Sequence, residues 1–254
     1  MVKAIAIDFD WTLLRTDKTI SKYTLNILEQ CRSNGIKVVY ATARPLRTIT
    51  PYLQLAPCDA IIYHNGAHIV ADGNRVDDPQ TIPIETAESI LAYLQKLFLG
   101  HRLSVEINDV LYANFDVSSI WKYTESTLSD FSNLPRIDAD KILVEANRGI
   151  NYEHVSPLLT PDIYCQIAEG SVYLIMHKNA TKLKAIKKLS KYWDIPIQDF
   201  AAFGDDHNDV EMIKYCGIGV AVGNAIPEVI NAADHVTDTN ENDGVAKYIA
   251  NNLL

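Results

Sequence analysis

The sequence predicts an α/β protein whose doubly wound, parallel core sheet is interrupted by an inserted α+β domain. Residues 1–80 and 180–254 alternate short apolar strands with amphipathic helices, a pattern typical of a parallel sheet covered by helices on both faces. Residues 81–179 contain hairpin-like strand pairs with helices between them, and their length is that of an ordinary domain. We therefore expect one discontinuous core domain and one inserted domain.

The first elements follow from the apolar pattern. Residues 4–7 form a continuous apolar run, as expected of a strand that is buried on both faces. Ser21 is a good N-cap for a helix, and Gly35 is a suitable residue to end it. Two further strands, separated by a short helix, cover residues 36–41 and 59–63.

The insertion and the last part of the chain complete the pattern. Within the insertion, apolar spacing predicts helices at residues 81–98 and 118–130 and strands at 103–107, 111–115, 142–146, 163–168 and 172–177. Hairpin turns are expected at Asn108-Asp109 and at Glu169-Gly170. The strand–helix alternation then resumes, with helices at 181–193, 208–215 and after Gly244, and strands at 200–203 and 218–222.

Composition and charge restrict the possible function classes. The chain has 254 residues, of which 48% are hydrophobic and 22% charged. At about this length a single hydrophobic core commonly gives way to two separate domains. Its formal net charge is −9, and the basic stretch at residues 182–191 is typical of the solvated face of an amphipathic helix. Nucleic-acid and anionic-membrane partners are therefore disfavoured.

Cysteine spacing and the amino-terminal sequence predict a cytoplasmic protein. The four cysteines lie far apart in the sequence, which disfavours a zinc site or a disulfide framework and fits a reducing compartment. The first acidic motif begins at Asp8, too early for a signal peptide to precede it, and no apolar run approaches membrane-spanning length.

Two carboxylates, Asp8 and Asp10, directly follow the first strand. Open α/β sheets bind their ligands at the carboxyl ends of strands, so these acids are placed where a site is expected. Two acids one residue apart repel each other unless a cation or a shared proton holds them, which indicates a chemical role. From these residues alone, a second interpretation stays open: the acids could cap a turn or the following helix.

A second acidic cluster follows the strand at residues 200–203. The segment at residues 204–209, GDDHND, again places carboxylates at a strand's carboxyl end, where they would converge with Asp8 and Asp10. So many acids need a compensating cation, and oxygen ligands without thiolates favour Mg²⁺ over zinc. An N-cap of the following helix would account for one of these acids but not for the cluster.

Thr42 and Lys182 are further candidates between the two acidic clusters. Thr42 ends the second strand, where its hydroxyl could bind a phosphoryl oxygen, although a strand-ending threonine is also common. Lys182 opens a helix, so its ammonium and the helix amino terminus could both face an anion. A lysine on that basic helix could equally be solvated.

Taken together, these segments resemble the haloacid dehalogenase superfamily of phosphohydrolases. The four motifs stand in the family's order, as DFDWT, Thr42, Lys182 and GDDHND. The long insertion between Thr42 and Lys182 resembles the family's second cap type, which points to the Cof-like sugar-phosphatase branch. The resemblance implies a Rossmann-like core domain and an inserted cap domain, and it covers essentially the whole chain.

The resemblance also implies a role for each candidate residue. Asp8 is the expected nucleophile, which forms an aspartyl-phosphate, and Asp10 is the expected general acid and base, a role that needs a raised pKa. Thr42 and Lys182 would assist catalysis by stabilising phosphoryl charge. The implied Mg²⁺ ligands are Asp8, the Asp10 carbonyl, Asp205 and Asp209. The implied phosphate- or substrate-binding residues are Thr42, Arg44, Asn65, Gly66, Lys182 and Asn208.

Two positions depart from the family pattern without removing a chemical group. Trp11 and Leu183 stand where the family usually has glycine. Leu183 should stiffen the start of its helix. The Trp11 indole could narrow the entrance of the site, stack on a substrate or pack beneath the cap, and core packing is the first expectation because aromatic residues are more often core.

The function implied is Mg²⁺-dependent hydrolysis of a small phosphate monoester, in particular a sugar phosphate, by a monomer or a small homo-oligomer. A phosphotransferase or phosphomutase of the same fold is an alternative, in which a second sugar receives the phosphoryl group. A non-catalytic regulator that binds a phosphate ligand is another, but such a protein would be expected to lack Asp8, Asp10 or Lys182. Hexose phosphates, pentose phosphates, pyridoxal phosphate and flavin mononucleotide stay open as substrates.

Overall fold

The chain forms two compact units. The core unit comprises Met1–Pro79 together with Thr181–Leu254, and the inserted unit comprises Gln80–Ala180. These bounds come from a computed structural model, which describes residues 1–97, 100–121, 124–146, 150–168 and 170–254.

The core unit, all of whose residues are described, is built on an eight-stranded sheet. Its strands are β1 (Ala4–Ile7), β2 (Lys37–Ala41), β3 (Ala60–Tyr63), β4 (His68–Ala71), β5 (Asn74–Arg75), β12 (Phe200–Gly204), β13 (Ile218–Ala221) and β14 (His235–Val236), while β6 to β11 belong to the inserted unit. Their spatial order is β14-β13-β12-β1-β2-β3-β4-β5. The strands from β14 to β3 are parallel, and β4 and β5 add an antiparallel edge.

The register of the two central strands brings the two acidic segments together. Strands β1 and β12 pair in parallel, with Ile7 opposite Phe203. Because both strands end at the same edge of the sheet, the segments that follow them meet there. This is the convergence of Asp8 with the GDDHND segment that the sequence predicts.

Helices cover both faces of the core sheet, so the predicted fold class is confirmed. The core helices are α1 (Lys22–Ser33), α2 (Leu46–Leu55), α5 (Lys182–Tyr192), α6 (Val210–Tyr215), α7 (Pro227–Ala232) and α8 (Gly244–Asn252). Side chains of β1 alternate between two apolar clusters: Ile5 and Ile7 pack with α1 and α8, whereas Ala4 and Ala6 pack with α5 and α6. A strand buried on both faces has the continuous apolar run seen in the sequence.

Helix α1 begins and ends where its sequence signals predict. The Ser21 hydroxyl accepts a hydrogen bond from the Thr24 N–H at 3.0 Å, which satisfies one unpaired donor of the first turn. After the helix, Gly35 has a φ of +77°, a conformation that glycine adopts without strain.

The inserted unit is a six-stranded sheet with its own apolar cluster. Its described strands are β6 (Leu103–Ile107), β7 (Val110–Ala113), β8 (Thr127–Leu128), β9 (Lys141–Glu145), β10 (Ile163–Ala168) and β11 (Val172–His177), and its described helices are α3 (Ile84–Leu97) and α4 (Tyr152–Val155). Both predicted hairpins form, β6 with β7 and β10 with β11. Asn108 and Asp109 have φ values of +51° and +62°, as a two-residue hairpin turn requires, whereas Glu169 lies outside the described residues.

The helix predicted at residues 118–130 is wrong. The described part of this segment contains a 3₁₀ turn at Val117–Ser119 and the short strand β8, and Lys122 and Tyr123 lie outside the described residues. The Asp116 carboxylate accepts from the Ser118 N–H at 3.0 Å, a local bond that favours a turn. Leu128 is 76% exposed, so the segment does not bury the apolar face that stabilises a helix.

Helix α3 starts later than the sequence predicts. Ile82 forms an isolated antiparallel bridge with Ala139, which keeps the residues before Pro83 extended, and Phe98 lies outside the described residues. Among the described parts of the chain, no helix combines the length and the apolar character needed to cross a membrane.

Candidate active site

Asp8 lies at the carboxyl end of β1, in the middle of the core sheet. Its N–H donates to the Phe203 carbonyl of β12 at 3.0 Å, and the residue is 7% exposed. The next residue, Phe9, is buried and packs edge-on against Tyr40, with 4.9 Å between the ring centroids. The apolar sequence on both sides of Asp8 therefore fixes its position at this edge of the sheet.

Lys182 brings a buried cation to the Asp8 carboxylate. It begins α5 after the N-cap Thr181, whose hydroxyl accepts from the Lys184 N–H. Its ammonium donates to Asp8 Oδ1 at 2.5 Å and to Asp209 Oδ1 at 2.6 Å, and the residue is 0% exposed. Burial alone would lower the pKa of Lys182, but the charges of Asp209 and Asp8 raise it above its ordinary value. The lysine is therefore a fixed positive charge.

Three buried carboxylates form the acidic cluster. Asp8, Asp205 and Asp209 each offer one oxygen that lies within 4.8 Å of the other two. The Thr12 hydroxyl donates to Asp205 Oδ1 at 2.5 Å and holds that carboxylate in place. Asp209 Oδ2 accepts from the N–H groups of Asp205 and Asp206 at 3.0 and 3.2 Å, which closes the loop after β12.

The cluster carries more negative charge than Lys182 offsets. Burial raises the pKa of Asp8 to about 7, with Lys182 opposing the rise and Asp209 adding to it. Burial and the charges of Asp8 and Asp209 raise the pKa of Asp205 to about 9. Both carboxyl groups are therefore poised to bind protons or a cation at neutral pH.

The donor set fits a magnesium ion. Mg²⁺ takes oxygen ligands at about 2.0–2.1 Å in an octahedron, so its ligand oxygens lie roughly 3–4 Å apart. One oxygen from each of the three carboxylates lies within 4.8 Å of the other two, so a small adjustment of the side chains would let them share such an ion. Both Asp209 oxygens already accept hydrogen bonds from the chain. Asp8 and Asp205 are therefore the better metal donors, and Asp209 mainly holds Lys182 and the loop.

The carboxylate of Asp10 is not one of the three in this cluster, and two cations contact it instead. Arg44 donates to its two oxygens from Nε and Nη2, at 2.6 Å each, and Lys18 Nζ lies 2.8 Å from Oδ1. Burial would raise the pKa of Asp10, but the hydrogen bonds and charges of Arg44 and Lys18 outweigh it and lower the pKa below its usual value. The expected raised pKa of Asp10 is therefore wrong for this arrangement.

Lys18 is a residue of the site that sequence reasoning missed. It lies in the loop after β1 and has a φ of +64°. Its ammonium reaches Asp10 because the loop turns back on itself, with the Lys18 N–H bonded to the Arg15 carbonyl at 2.9 Å. No periodicity or motif marks such a residue in the sequence.

Three of the predicted binding residues lie just after β2 and β3, and a fourth, Asn208, reaches them from the loop after β12. The Asn65 N–H donates to the Thr42 carbonyl at 2.9 Å, and the Thr42 hydroxyl accepts from the Arg44 N–H at 3.1 Å. The Asn208 side chain donates to Asn65 Oδ1 at 3.0 Å. The loop after β12 is thereby joined to the loop after β3 on the same edge of the sheet as Asp8.

Gly66 permits a close approach between two backbone segments. Its φ is +109°, and a Cβ at this position would lie 2.5 Å from the Thr181 carbonyl oxygen. Only glycine fits this position without a shift of the backbone at the start of α5. Gly66 therefore contributes to the site through the position of Lys182, one residue after Thr181.

The chain matches a known protein family along nearly its whole length. A family model described as haloacid dehalogenase-like hydrolase matches residues 5–249. The 5-amino-6-(5-phospho-D-ribitylamino)uracil phosphatase YitU of Bacillus subtilis is 30% identical over 261 residues, covering 96% of this chain and 95% of that protein. A putative phosphatase of Haemophilus influenzae is 31% identical over 255 residues, covering 97% of this chain and 96% of that protein.

Solved structures share the fold. The HAD subclass IIB sugar phosphatase BT4131 superposes with a TM-score of 0.86 at 23% identity, covering 98% of each chain. A haloacid dehalogenase-like hydrolase from B. subtilis superposes with a TM-score of 0.84 at 26% identity, covering 100% of each chain.

Proposed function

The chain belongs to the haloacid dehalogenase-like hydrolase family, and from this premise we propose that it is an Mg²⁺-dependent phosphatase acting on a small phosphate monoester. The proposed substrate is a sugar phosphate or a phosphorylated sugar-derived chain. Hydrolysis would pass through an aspartyl-phosphate on Asp8.

The contact that supports this proposal is between Asp8 and Lys182. A carboxylate at a strand end is held at 2.5 Å by a fully buried ammonium, beside the carboxylate of Asp205. Such an arrangement combines a nucleophile, a fixed positive charge and a cation site within one small volume. Phosphoryl transfer depends on these elements, because its catalysis rests on positioning and charge stabilisation.

In the first half-reaction, a carboxylate oxygen of Asp8 attacks phosphorus and the bond from phosphorus to the leaving oxygen breaks. Asp10 would give that oxygen a proton. Asp10 is an ionised carboxylate between Arg44 and Lys18. To act as the acid it must separate from these cations and hold the proton that it takes from water in the second half-reaction of the preceding turnover. Lys182 would meanwhile offset the charge on the phosphoryl oxygens.

In the second half-reaction, a water molecule attacks phosphorus and Asp10 takes its proton. The bond between phosphorus and Asp8 breaks, which releases inorganic phosphate and restores the carboxylate. Mg²⁺ bound by Asp8 and Asp205 would reduce the repulsion between the nucleophile and the phosphate dianion. Thr42, Asn65 and Asn208 are proposed to orient the phosphoryl group, since their hydrogen bonds join the loops around Asp8.

The names of the relatives support the proposed substrate class. The relative from B. subtilis is named as a phosphatase of a 5-phospho-D-ribitylamino compound, and BT4131 is named as a sugar phosphatase. Both names describe a phosphate on a sugar or sugar-derived chain. We propose that this enzyme acts on such an ester in the cytoplasm, as a monomer or a small homo-oligomer.

Phosphate release from a panel of sugar phosphates, pyridoxal phosphate and flavin mononucleotide tests the function. We expect turnover with Mg²⁺, none in excess EDTA and none with Asp8→Asn. Release from a single ester without a bisphosphate activator would distinguish hydrolysis from phosphomutase chemistry. Full activity in EDTA, or transfer to a second sugar in place of water, would contradict the proposal.

A further inference from the structure

Trp11 occupies a backbone position that disfavours a large side chain. Its φ is +60°, in the left-handed region, where residues other than glycine carry a steric cost. The residue is 37% exposed and belongs to none of the apolar clusters formed by the described residues. The expected core-packing role is therefore wrong, and strain of this kind is typical of functional sites.

The backbone that carries the indole is fixed. The Trp11 carbonyl accepts from the Asn224 side chain at 2.7 Å, and Asn224 Oδ1 accepts from the Asn240 N–H at 2.9 Å. The Asn240 side chain in turn donates to the Leu14 carbonyl at 2.9 Å. These bonds tie the main chain on both sides of the indole to the segments after β13 and before α8, so the point from which the ring projects is fixed.

Lys18 joins the indole to the candidate acid. Its ammonium lies 5.1 Å from the Trp11 ring centroid, over the ring, and 2.8 Å from Asp10 Oδ1. The Tyr52 hydroxyl donates to the Lys18 carbonyl at 3.1 Å and fixes the backbone of that lysine. If Asp10 is the proton donor to the leaving oxygen, as proposed, Trp11 and Lys18 would lie beside the leaving group, because Lys18 contacts both Asp10 and the indole.

We propose that Trp11 and Lys18 bind the leaving group, and that they select phosphate esters whose alcohol carries a planar, unsaturated ring with a carbonyl or acidic oxygen. This inference rests on the proposed function and specifies its substrate. Lys18 covers one face of the indole, so the ring of the leaving group would stack on the other face. Once Asp10 separates from Lys18 to carry its proton, the ammonium would offer a charge for the oxygen of that ring. A simple sugar alcohol provides hydroxyl groups only. It therefore lacks both the planar ring that would stack on Trp11 and the carbonyl or acidic oxygen that would contact Lys18.

The kinetic test compares two primary phosphate esters, flavin mononucleotide and ribose 5-phosphate. The readout is the ratio of their kcat/KM values in wild type, Trp11→Gly, Trp11→Phe and Lys18→Met. Stacking on an aromatic side chain predicts that Trp11→Gly lowers this ratio about tenfold or more, whereas Trp11→Phe keeps most of it. Lys18→Met, which leaves the indole in place, should lower it by a smaller factor.

A second lysine–tryptophan pair in the core unit provides the control. Lys37 Nζ lies 5.2 Å from the Trp193 ring centroid, and Trp193 donates from Nε1 to Asp72. Trp193→Phe changes an indole whose described partners are Lys37 and Asp72 and not Asp8 or Asp10, so the ratio should stay at the wild-type value. A ratio that is unchanged or higher in Trp11→Gly would overturn the inference, and a higher ratio would show that the indole only narrows the entrance.

A binding measurement separates this inference from the proposed function. In the Asp8→Asn background, calorimetry gives the affinity for flavin mononucleotide with and without Trp11→Gly. We expect the second change to weaken binding about tenfold. Equal affinity, or no detectable binding, would overturn the inference, while absence of phosphate release by the wild-type enzyme would overturn the proposed function whatever the affinities are.

Discussion

Lys182 and Asp209 form an ion pair in which both side chains are fully buried, with Nζ 2.6 Å from Oδ1. The same ammonium donates to Asp8, and the second Asp209 oxygen accepts two N–H groups of the loop after β12. Removing a charge from water is costly, and this pair is satisfied only because every partner is present. The ion pair therefore links the stability of the core unit to the geometry of the site.

Asp209→Ala should destabilise the protein by about 3–5 kcal/mol, because it leaves the Lys182 ammonium buried beside a single carboxylate. It also removes the acceptor of the Asp205 and Asp206 N–H groups. Urea denaturation monitored by circular dichroism measures the loss in the free energy of unfolding.

The control for this prediction is the partly exposed surface ion pair between Lys188 and Asp77. Asp77→Asn should cost less than about 1 kcal/mol, since surface ion pairs contribute little. If both substitutions had the same small effect, the buried pair would not contribute to stability as we infer.

Asp8→Asn should abolish turnover while the protein stays folded. The change keeps the size of the side chain but removes the charge that attacks phosphorus, so we expect kcat to fall by roughly 10³-fold or more. Phosphate release measures kcat, and the melting temperature shows whether the fold survives. A folded variant with near-wild-type turnover would show that Asp8 is not the nucleophile.

Without a divalent cation, the free energy of unfolding should fall as the pH rises. The pKa values of Asp8 and Asp205, about 7 and about 9, lie above the value of 3.8 for an unperturbed aspartate. Between pH 3.8 and about pH 9 the folded protein holds more protons on these two carboxyl groups than the unfolded chain does. The free energy of unfolding therefore decreases as the pH rises through this range. Thermal denaturation in EDTA over about pH 6 to 9 measures this trend.

Mg²⁺ should reverse this trend and bind more tightly at higher pH, because it displaces protons from the same carboxylates. Calorimetry in two buffers of different ionisation enthalpy counts the protons released, and Asp205→Asn should release fewer. Binding without any proton release would contradict the assignment of Asp8 and Asp205 to the cation site.

The meeting of the acidic segments was predictable from the sequence, because it depends on local patterns. A buried strand is a continuous apolar run, parallel strands end at one edge, and Asp8 and Asp205 each follow such a run. The cap of α1 at Ser21 and the hairpin turn at Asn108-Asp109 were predictable for the same reason, since each depends on a few adjacent residues.

The surroundings of Asp10 were not predictable, because they depend on contacts between distant residues. Arg44 reaches Asp10 from the loop after β2, and Lys18 reaches it from a turn with a positive φ. Neither contact leaves a periodic signal. The exposure of Leu128 explains the wrong helix at residues 118–130, since apolar residues predict a helix only when a tertiary contact buries them.

Gly66→Ala should reduce both stability and turnover, because the new Cβ would lie 2.5 Å from the Thr181 carbonyl oxygen and must displace the start of α5. That displacement moves Lys182 away from Asp8, so kcat should fall more than the expected loss of stability alone explains.

Gly35→Ala is the matched control: Gly35 also has a positive φ, of +77°, but a Cβ there meets no atom within 4 Å. The control should lose about 1 kcal/mol from backbone strain and keep its turnover. Equal kcat values in the two variants, measured by phosphate release well below their melting temperatures, would show that the contact between Gly66 and Thr181 does not position Lys182.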